Sequence, residues 1–213
     1  MLRMSKNKKF NRKMSKKKIK SKYNIKKEYK EAFKFLWSVK NYFIFVVLLF
    51  FLITIAVYSG AQNQELNNTL LEYLKKVAEK FEGKGIIETI FLIFSNNLFV
   101  SFLAIVTGVF FGIMPLIFII SNGYALGFIA QKTVDIAGIT ILWKLFPHGI
   151  FELPAVFISL ALGLKLGTFV FANKPWKTLW DYFYKSMRVF FYVVFPLLVI
   201  AAIIEGSLIV LLK

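Results

Sequence analysis

Residues 124–143 read YALGFIAQKTVDIAGITILW, and whether this stretch crosses a membrane decides the fold. It is mostly apolar and has the ~20 residues that a helix needs to cross a bilayer core, but Lys132 and Asp135 interrupt it. Stronger apolar runs cover residues 42–59, 98–120, 150–172 and 189–212. Hydropathy leaves residues 124–143 open, and charge asymmetry resolves them. Lys and Arg concentrate in cytoplasmic loops. Residues 173–188 hold Lys174, Lys177, Lys185 and Arg188 against Asp181, a net +3, and so belong on the same side as the basic N-terminus. That requires an even number of crossings between them, and four are available only if residues 124–143 span. The sequence thus predicts an all-α polytopic membrane helical bundle of about five transmembrane helices. The N-terminus is cytoplasmic, the C-terminus is outside, and residues 60–95 form an extracytoplasmic loop. A re-entrant 124–143 is the alternative, and it puts a basic loop on the wrong side.

Composition agrees. The 213 residues are 58% hydrophobic and include 25 phenylalanines, against about 45–50% apolar residues in a soluble domain. Intrinsic disorder of most of the chain is excluded on the same grounds. The formal charge of +17 is not spread over this apolar body. Residues 1–40 carry sixteen Lys or Arg against Glu28 and Glu31, leaving only +3 for residues 41–213. The chain therefore divides into a basic cytoplasmic arm, 1–40, and a transmembrane helical domain, 41–213, with the first span read as a retained anchor. The start of the arm has no apolar period and reads as disordered. Tyr29, Phe33, Leu36 and Trp37 then recur at helical spacing, as in an amphipathic helix on the anionic inner leaflet of the bilayer. A similar stripe, Leu70, Leu74, Val77, Ala78 and Phe81, marks the outer loop, where Asn67-Asn68-Thr69 fits a glycosylation sequon. No nucleic acid is expected as a partner, because anchoring one side of a membrane protein is the simpler use of the arm.

Small residues recur every fourth position in the spans: Ala104, Gly108 and Gly112; Gly123 and Gly127; Ala155, Ser159, Gly163 and Gly167. This spacing puts them on one helix face, where backbones can approach closely. Packing within the bundle is the first reading, and contacts in a homo-oligomer (a dimer) or with other membrane proteins are the second. Pro115 and Pro196 fall inside the second and fifth spans, where kinks or unwinding are expected.

Polar groups at membrane depth form the candidate functional cluster: Asn97, Asn122, Asp135, His148 and Glu152. His148 and Glu152 are i and i+4, and ionisable groups in a bilayer are costly unless paired. Asn96 and Asn97 are read as opening the second span, Asn122-Gly123 as the turn between the second and third, and Glu205 as lying two turns from the end of the fifth. Asn97, Gly108-xxx-Gly112, Asn122-Gly123-xxx-Gly127, Pro147-His148-Gly149-xx-Glu152 and Gly163-xxx-Gly167, in that order, resemble the stage II sporulation protein M family of integral membrane proteins. The resemblance runs from Asn96 to Gly167, and the five-span plan agrees outside it. It implies a membrane scaffold, which in spore-forming bacteria serves a cell-wall-degrading complex during engulfment. The long basic arm lies outside the resemblance.

Three functions remain open: a non-enzymatic scaffold or assembly protein, a small transporter or channel with its polar site at Asp135, His148 and Glu152, and an intramembrane metalloenzyme. With no cysteine and a single histidine, one chain lacks the three protein ligands of a usual catalytic zinc site, and no metal or cofactor is expected. There is no phosphate loop or nucleophile elbow. Topology is directly testable: a reporter inserted within residues 173–188 should give a cytoplasmic signal, and an external signal would overturn the five-span plan.

Overall fold

The computed structural model describes residues 24–139 and 146–211, without the side chains of residues 146–148 and 211. The first 23 residues of the arm, residues 140–143 of the expected third span with the two that follow, and the His148 side chain therefore lie outside the described residues. The described chain is helical: α1 Ile25–Ser38, α2 Lys40–Tyr58, α3 Gln64–Glu79, α4 Ile86–Val106, α5 Ile113–Ala137, α6 Phe146–Gly167, α7 Pro175–Val189 and α8 Phe195–Leu211, with no strand among the described residues. Five stretches, built on α2, α4, α5, α6 and α7–α8, are long and apolar enough to cross a membrane.

Side-chain neighbours fix the directions of these helices. Gly123 and Gly127 of α5 face Phe50 and Thr54 of α2, so α2 and α5 run parallel. Phe190 and Gly206 lie against Phe102 and Ile90 of α4, so the last span runs antiparallel to α4. Tyr42 of α2 lies beneath the Lys165 ammonium while Phe50 stacks edge-on with Phe157, so α2 and α6 are antiparallel. Consequently α1 and α7 share one end of the bundle, and α3 lies at the other. This is the parity that the charge of residues 173–188 demanded, with four crossings between the two basic segments. The most enclosed span is α6: 61% of its apolar window is buried, against 17–28% in the others.

Two boundaries differ from the sequence reading for one physical reason. The apolar run 98–120 is not one helix, because α4 ends at Val106 and α5 starts at Ile113. Between them a 3-10 turn leads into Phe111 (φ 56°) and Gly112 (φ 74°), both left-handed. That conformation is costly for a residue with a side chain and free for glycine. The turn is made of apolar residues, so hydropathy passes over it. Asn122-Gly123 is accordingly no turn but the middle of α5, and Asn96 and Asn97 lie inside α4 rather than opening it. Pro115 belongs to the first turn of α5, where its missing N–H costs nothing. Pro196 follows a π-helical turn at Phe190–Val194, the expected local irregularity. Residues 60–95 hold α3 and the first turns of α4, and residues 173–188 are mostly α7.

At the α1 end, two amphipathic helices form a deck. Ala32 and Phe35 of α1 and Ser186 and Val189 of α7 turn inward, while Phe33, Trp37, Trp176, Trp180 and Tyr184 are exposed. Arg188 Nε lies 2.8 Å from Glu28 Oε2, an ion pair that ties the two helices together. Exposed Trp and Tyr on such a deck match the aromatic belt of a membrane interface.

The helix-packing glycines are used within the chain. A Cβ on Gly108 would fall on the backbone of Gly163; one on Gly163 would meet the Ala104 carbonyl; one on Gly167 would meet the backbone of Gly112. Gly123 and Gly127 lie against α2, and Thr54 Oγ1 donates to the Gly123 carbonyl at 3.2 Å. Ser159 is fully buried and donates to the Ala155 carbonyl at 2.9 Å. Gly108→Ala should therefore lower stability by about 1–3 kcal/mol or more through overpacking. Gly149→Ala, with only Leu153 Cδ1 at 3.8 Å, should leave it unchanged or raised, as thermal unfolding in detergent can measure.

Candidate functional site

A cavity of about 440 Å³ lies between α3, α4, α6 and α8, at the end of the bundle opposite the α1–α7 deck. Tyr73, Val77, Lys80 and Phe81 line it from α3 and the residues just beyond; Asn96, Asn97 and neighbours line it from α4; Glu152 and Glu205 line it from α6 and α8. The carboxyl groups of Glu152 and Glu205 lie side by side, and the Asn97 amide is within reach of Glu152. Oε2 of Glu205 is buried and has no hydrogen-bond partner.

Helix geometry explains the meeting. Glu152 is six residues from the start of α6 and Glu205 six from the end of α8, and these helices are antiparallel. Each carboxylate thus sits ~9 Å from the same end of the bundle, at 1.5 Å rise per residue. Gly206, beside Glu205, lets α8 approach α4, since a Cβ there would come within 3.0 Å of the Ile90 backbone.

Of the five polar residues singled out in the sequence, the structure brings Asn97 and Glu152 together. The backbone of His148 stands one turn before Glu152 in α6, and its side chain lies outside the described residues. Asn122 is exposed on α5, and its Nδ2 donates to the Phe118 carbonyl at 2.8 Å, within its own helix. Asp135 is exposed near the end of α5, and neither it nor Asn122 lines this cavity. Glu205 and Lys80 complete the lining in their stead. Glu205 was legible as an acid at membrane depth, but pairing it with Glu152 needs the helix directions. Lys80 gave no signal, being one of several lysines in a charged loop. Among the described residues no three His, Cys, Asp or Glu side chains gather as a metal site would require.

Amide and phenol groups pin the start of α3 to α5. Asn63 Oδ1 caps α3 by accepting from the N–H groups of Glu65 and Leu66 at 3.0 and 3.1 Å. The Tyr124 hydroxyl donates to Asn67 Oδ1 at 2.7 Å and accepts from the Asn63 N–H at 2.9 Å. Gln62 Nε2 donates to the Val57 carbonyl at 3.0 Å and to Gln131 Oε1, while Asn67 Nδ2 donates to Gln62 Oε1 at 3.0 Å. Asn67, the acceptor of the sequon, is therefore 8% exposed and engaged through both ends of its amide, which hides it from modification. The stripe facing the cavity lies at the other end of α3, so this network holds the wall in place.

Apolar helices of spanning length, an aromatic deck at one end and carboxylates sheltered at the other define a polytopic α-helical membrane protein. The SpoIIM family model, described as stage II sporulation protein M, matches residues 42–208, and the chain belongs to this membrane protein family. The match takes in all five spans and excludes the basic arm. No curated protein and no solved structure matches the chain.

Tyr124→Phe removes the hydroxyl that joins Asn63 and Asn67. It should cost about 1 kcal/mol and speed amide hydrogen exchange in α3 more than in α6; equal exchange in the variant and the parent protein would show that the network does not hold α3.

Proposed function

We propose that the protein is a non-enzymatic scaffold or assembly protein of a multi-pass cell membrane complex, with its N-terminal arm on the cytoplasmic side. The observation that carries this reading is the backbone-to-backbone seating of Gly163 and Gly167 of α6 on Ala104, Gly108 and Gly112. Transporters that rock one bundle against another need an interface that can shift. Here the central helix is held where even a methyl group would collide, a construction suited to a fixed platform. The family supports the reading through its sporulation scaffold.

Since the glycine faces are occupied within the chain, a partner or a second copy would meet other surfaces: the outward faces of the spans, the α1–α7 deck and α3. The deck and the arm before it suit the anionic inner leaflet, with Lys26, Lys27, Lys30 and Lys34 available beside the exposed Trp37 and Phe33.

One observation favours a second reading as a transporter, namely the Glu152–Glu205 pair beside Asn97 in a cavity. Native extraction separates the two. A scaffold should co-purify with defined membrane proteins in fixed proportion, and proteoliposomes of the purified chain should show no flux dependent on Glu152 or Glu205. A chain that purifies alone and carries such a flux would reverse the assignment.

A further inference from the structure

Asn122 is a carboxamide on the outward side of a membrane span, and both ends of that span are marked. Gly112, just before α5, meets Leu164 and Gly167 of α6, on either side of Lys165. Near the outer end, Gln131 accepts from Gln62 of the loop before α3, and the exposed Lys132 comes next. Nineteen residues separate Gly112 from Gln131, about 29 Å of helix, close to the ~30 Å hydrocarbon core of a bilayer. Asn122 stands halfway along this length and is exposed. Its Nδ2 donates to the Phe118 carbonyl at 2.8 Å; among the described residues its second amide hydrogen and its Oδ1 have no partner. Water is absent at that depth, so unpaired amide groups are costly there. Around Asn122 the helix is low: Ser121 precedes it and Ala125 follows at i+3. The Ser121 hydroxyl turns back to the Ile117 carbonyl at 2.9 Å, and small residues of this kind let a second helix approach closely.

We propose that this face of α5 receives the same face of a second copy of the chain. The two Asn122 amides then bond reciprocally across a two-fold axis normal to the membrane, each Nδ2 donating to the other Oδ1. The amide itself identifies the occupant. A carboxamide carries donors and an acceptor and is therefore its own complement. Copies inserted in one orientation bring the same residue to the same depth, and a two-fold contact sets one patch against itself. The other outward faces carry no such demand, since side chains such as Leu48 and Leu52 of α2 are satisfied by lipid. The pairing extends the scaffold reading by naming one partner. It stands apart from that reading, because dimerisation is measured on the purified chain and co-purification on native extracts.

The test reconstitutes the full chain in liposomes, with donor- and acceptor-labelled copies, and follows energy transfer as added lipid dilutes the protein. The parent chain should dimerise reversibly. Asn122→Leu should weaken dimerisation by about tenfold, and Asn122→Gln, which keeps the carboxamide, should weaken it less. In a detergent that holds the chain monomeric, Asn122→Leu should leave the melting temperature unchanged or raised, whereas a role within one chain would lower it. The chain has no cysteine, so single substitutions locate the contact. Under a membrane-permeant oxidant Ser121→Cys should form disulfide-linked dimers. Leu52→Cys should not, although Leu52 is 66% exposed and lies at the level of Gly123. Chance-level energy transfer, equal dimerisation of the parent and Asn122→Leu, or cross-linking at residue 52 rather than 121 would overturn the proposal. So would a different membrane protein that co-purifies with a monomeric chain and is lost in Asn122→Leu.

Discussion

The contact on which the rest of the structure depends is the seating of α6 on the break between α4 and α5. Ala104, Gly108 and Gly112 offer bare backbone there, and Gly163 and Gly167 press against it. In a bilayer there is no hydrophobic force to draw helices together, so association rests on close packing, and glycine permits the closest. The left-handed Phe111 and Gly112 close the α4–α5 turn on that contact. Once α6 is fixed, it places Glu152 at the depth of Asn97 and Glu205. Phe157 is then set among the aromatic rings of α2, and α8 closes the other side of the bundle. The cavity with its carboxylates is thus a consequence of how α6 is packed.

The two ends of the bundle are built differently. At one end, α1 and α7 form a deck joined by the Arg188–Glu28 pair, which is partly shielded from solvent, and Tyr29 of α1 makes an edge-on contact at 5.0 Å with Tyr192 of the π-turn that follows α7. At the other, α3 is held by uncharged amides and a phenol, and its far half walls the cavity. A π-turn before Pro196 joins the deck to the span carrying Glu205 without a break in the helix.

Much of this was legible in the sequence. The charges of residues 173–188 settled the number of crossings, because loop charge follows the side of the membrane whatever the helix boundaries. The amphipathic spacing of Tyr29, Phe33 and Trp37 and of Leu70, Leu74 and Val77 marked α1 and α3. The four-residue spacing of glycines identified the packing faces, although not which face met which. What hydropathy missed was the turn at residues 107–112: its residues are as apolar as a span, and only backbone conformation sets it apart. That omission displaced the second and third spans and made Asn122-Gly123 look like the loop, when Gly123 is small for the sake of α2. The sequence pairs Glu152 with His148, whose side chain lies outside the described residues, and it is the helix directions that bring Asn97 of the same polar cluster beside Glu152. Asn122 and Asp135 stand apart from the cavity on exposed faces of α5, and periodicity alone does not orient a helix apolar all round.

Closure of the glycine faces within one chain is open to a direct spectroscopic measurement. Carbon-13 labelling of glycine alone, in protein reconstituted into bilayers, should give through-space correlations between Gly108 and Gly163 and between Gly112 and Gly167 in solid-state magnetic resonance. Diluting the labelled protein with an excess of unlabelled chains should leave their intensity per labelled molecule unchanged. Loss of these correlations on dilution would place the contacts between copies, and their absence at every dilution would contradict the packing of α6 described here.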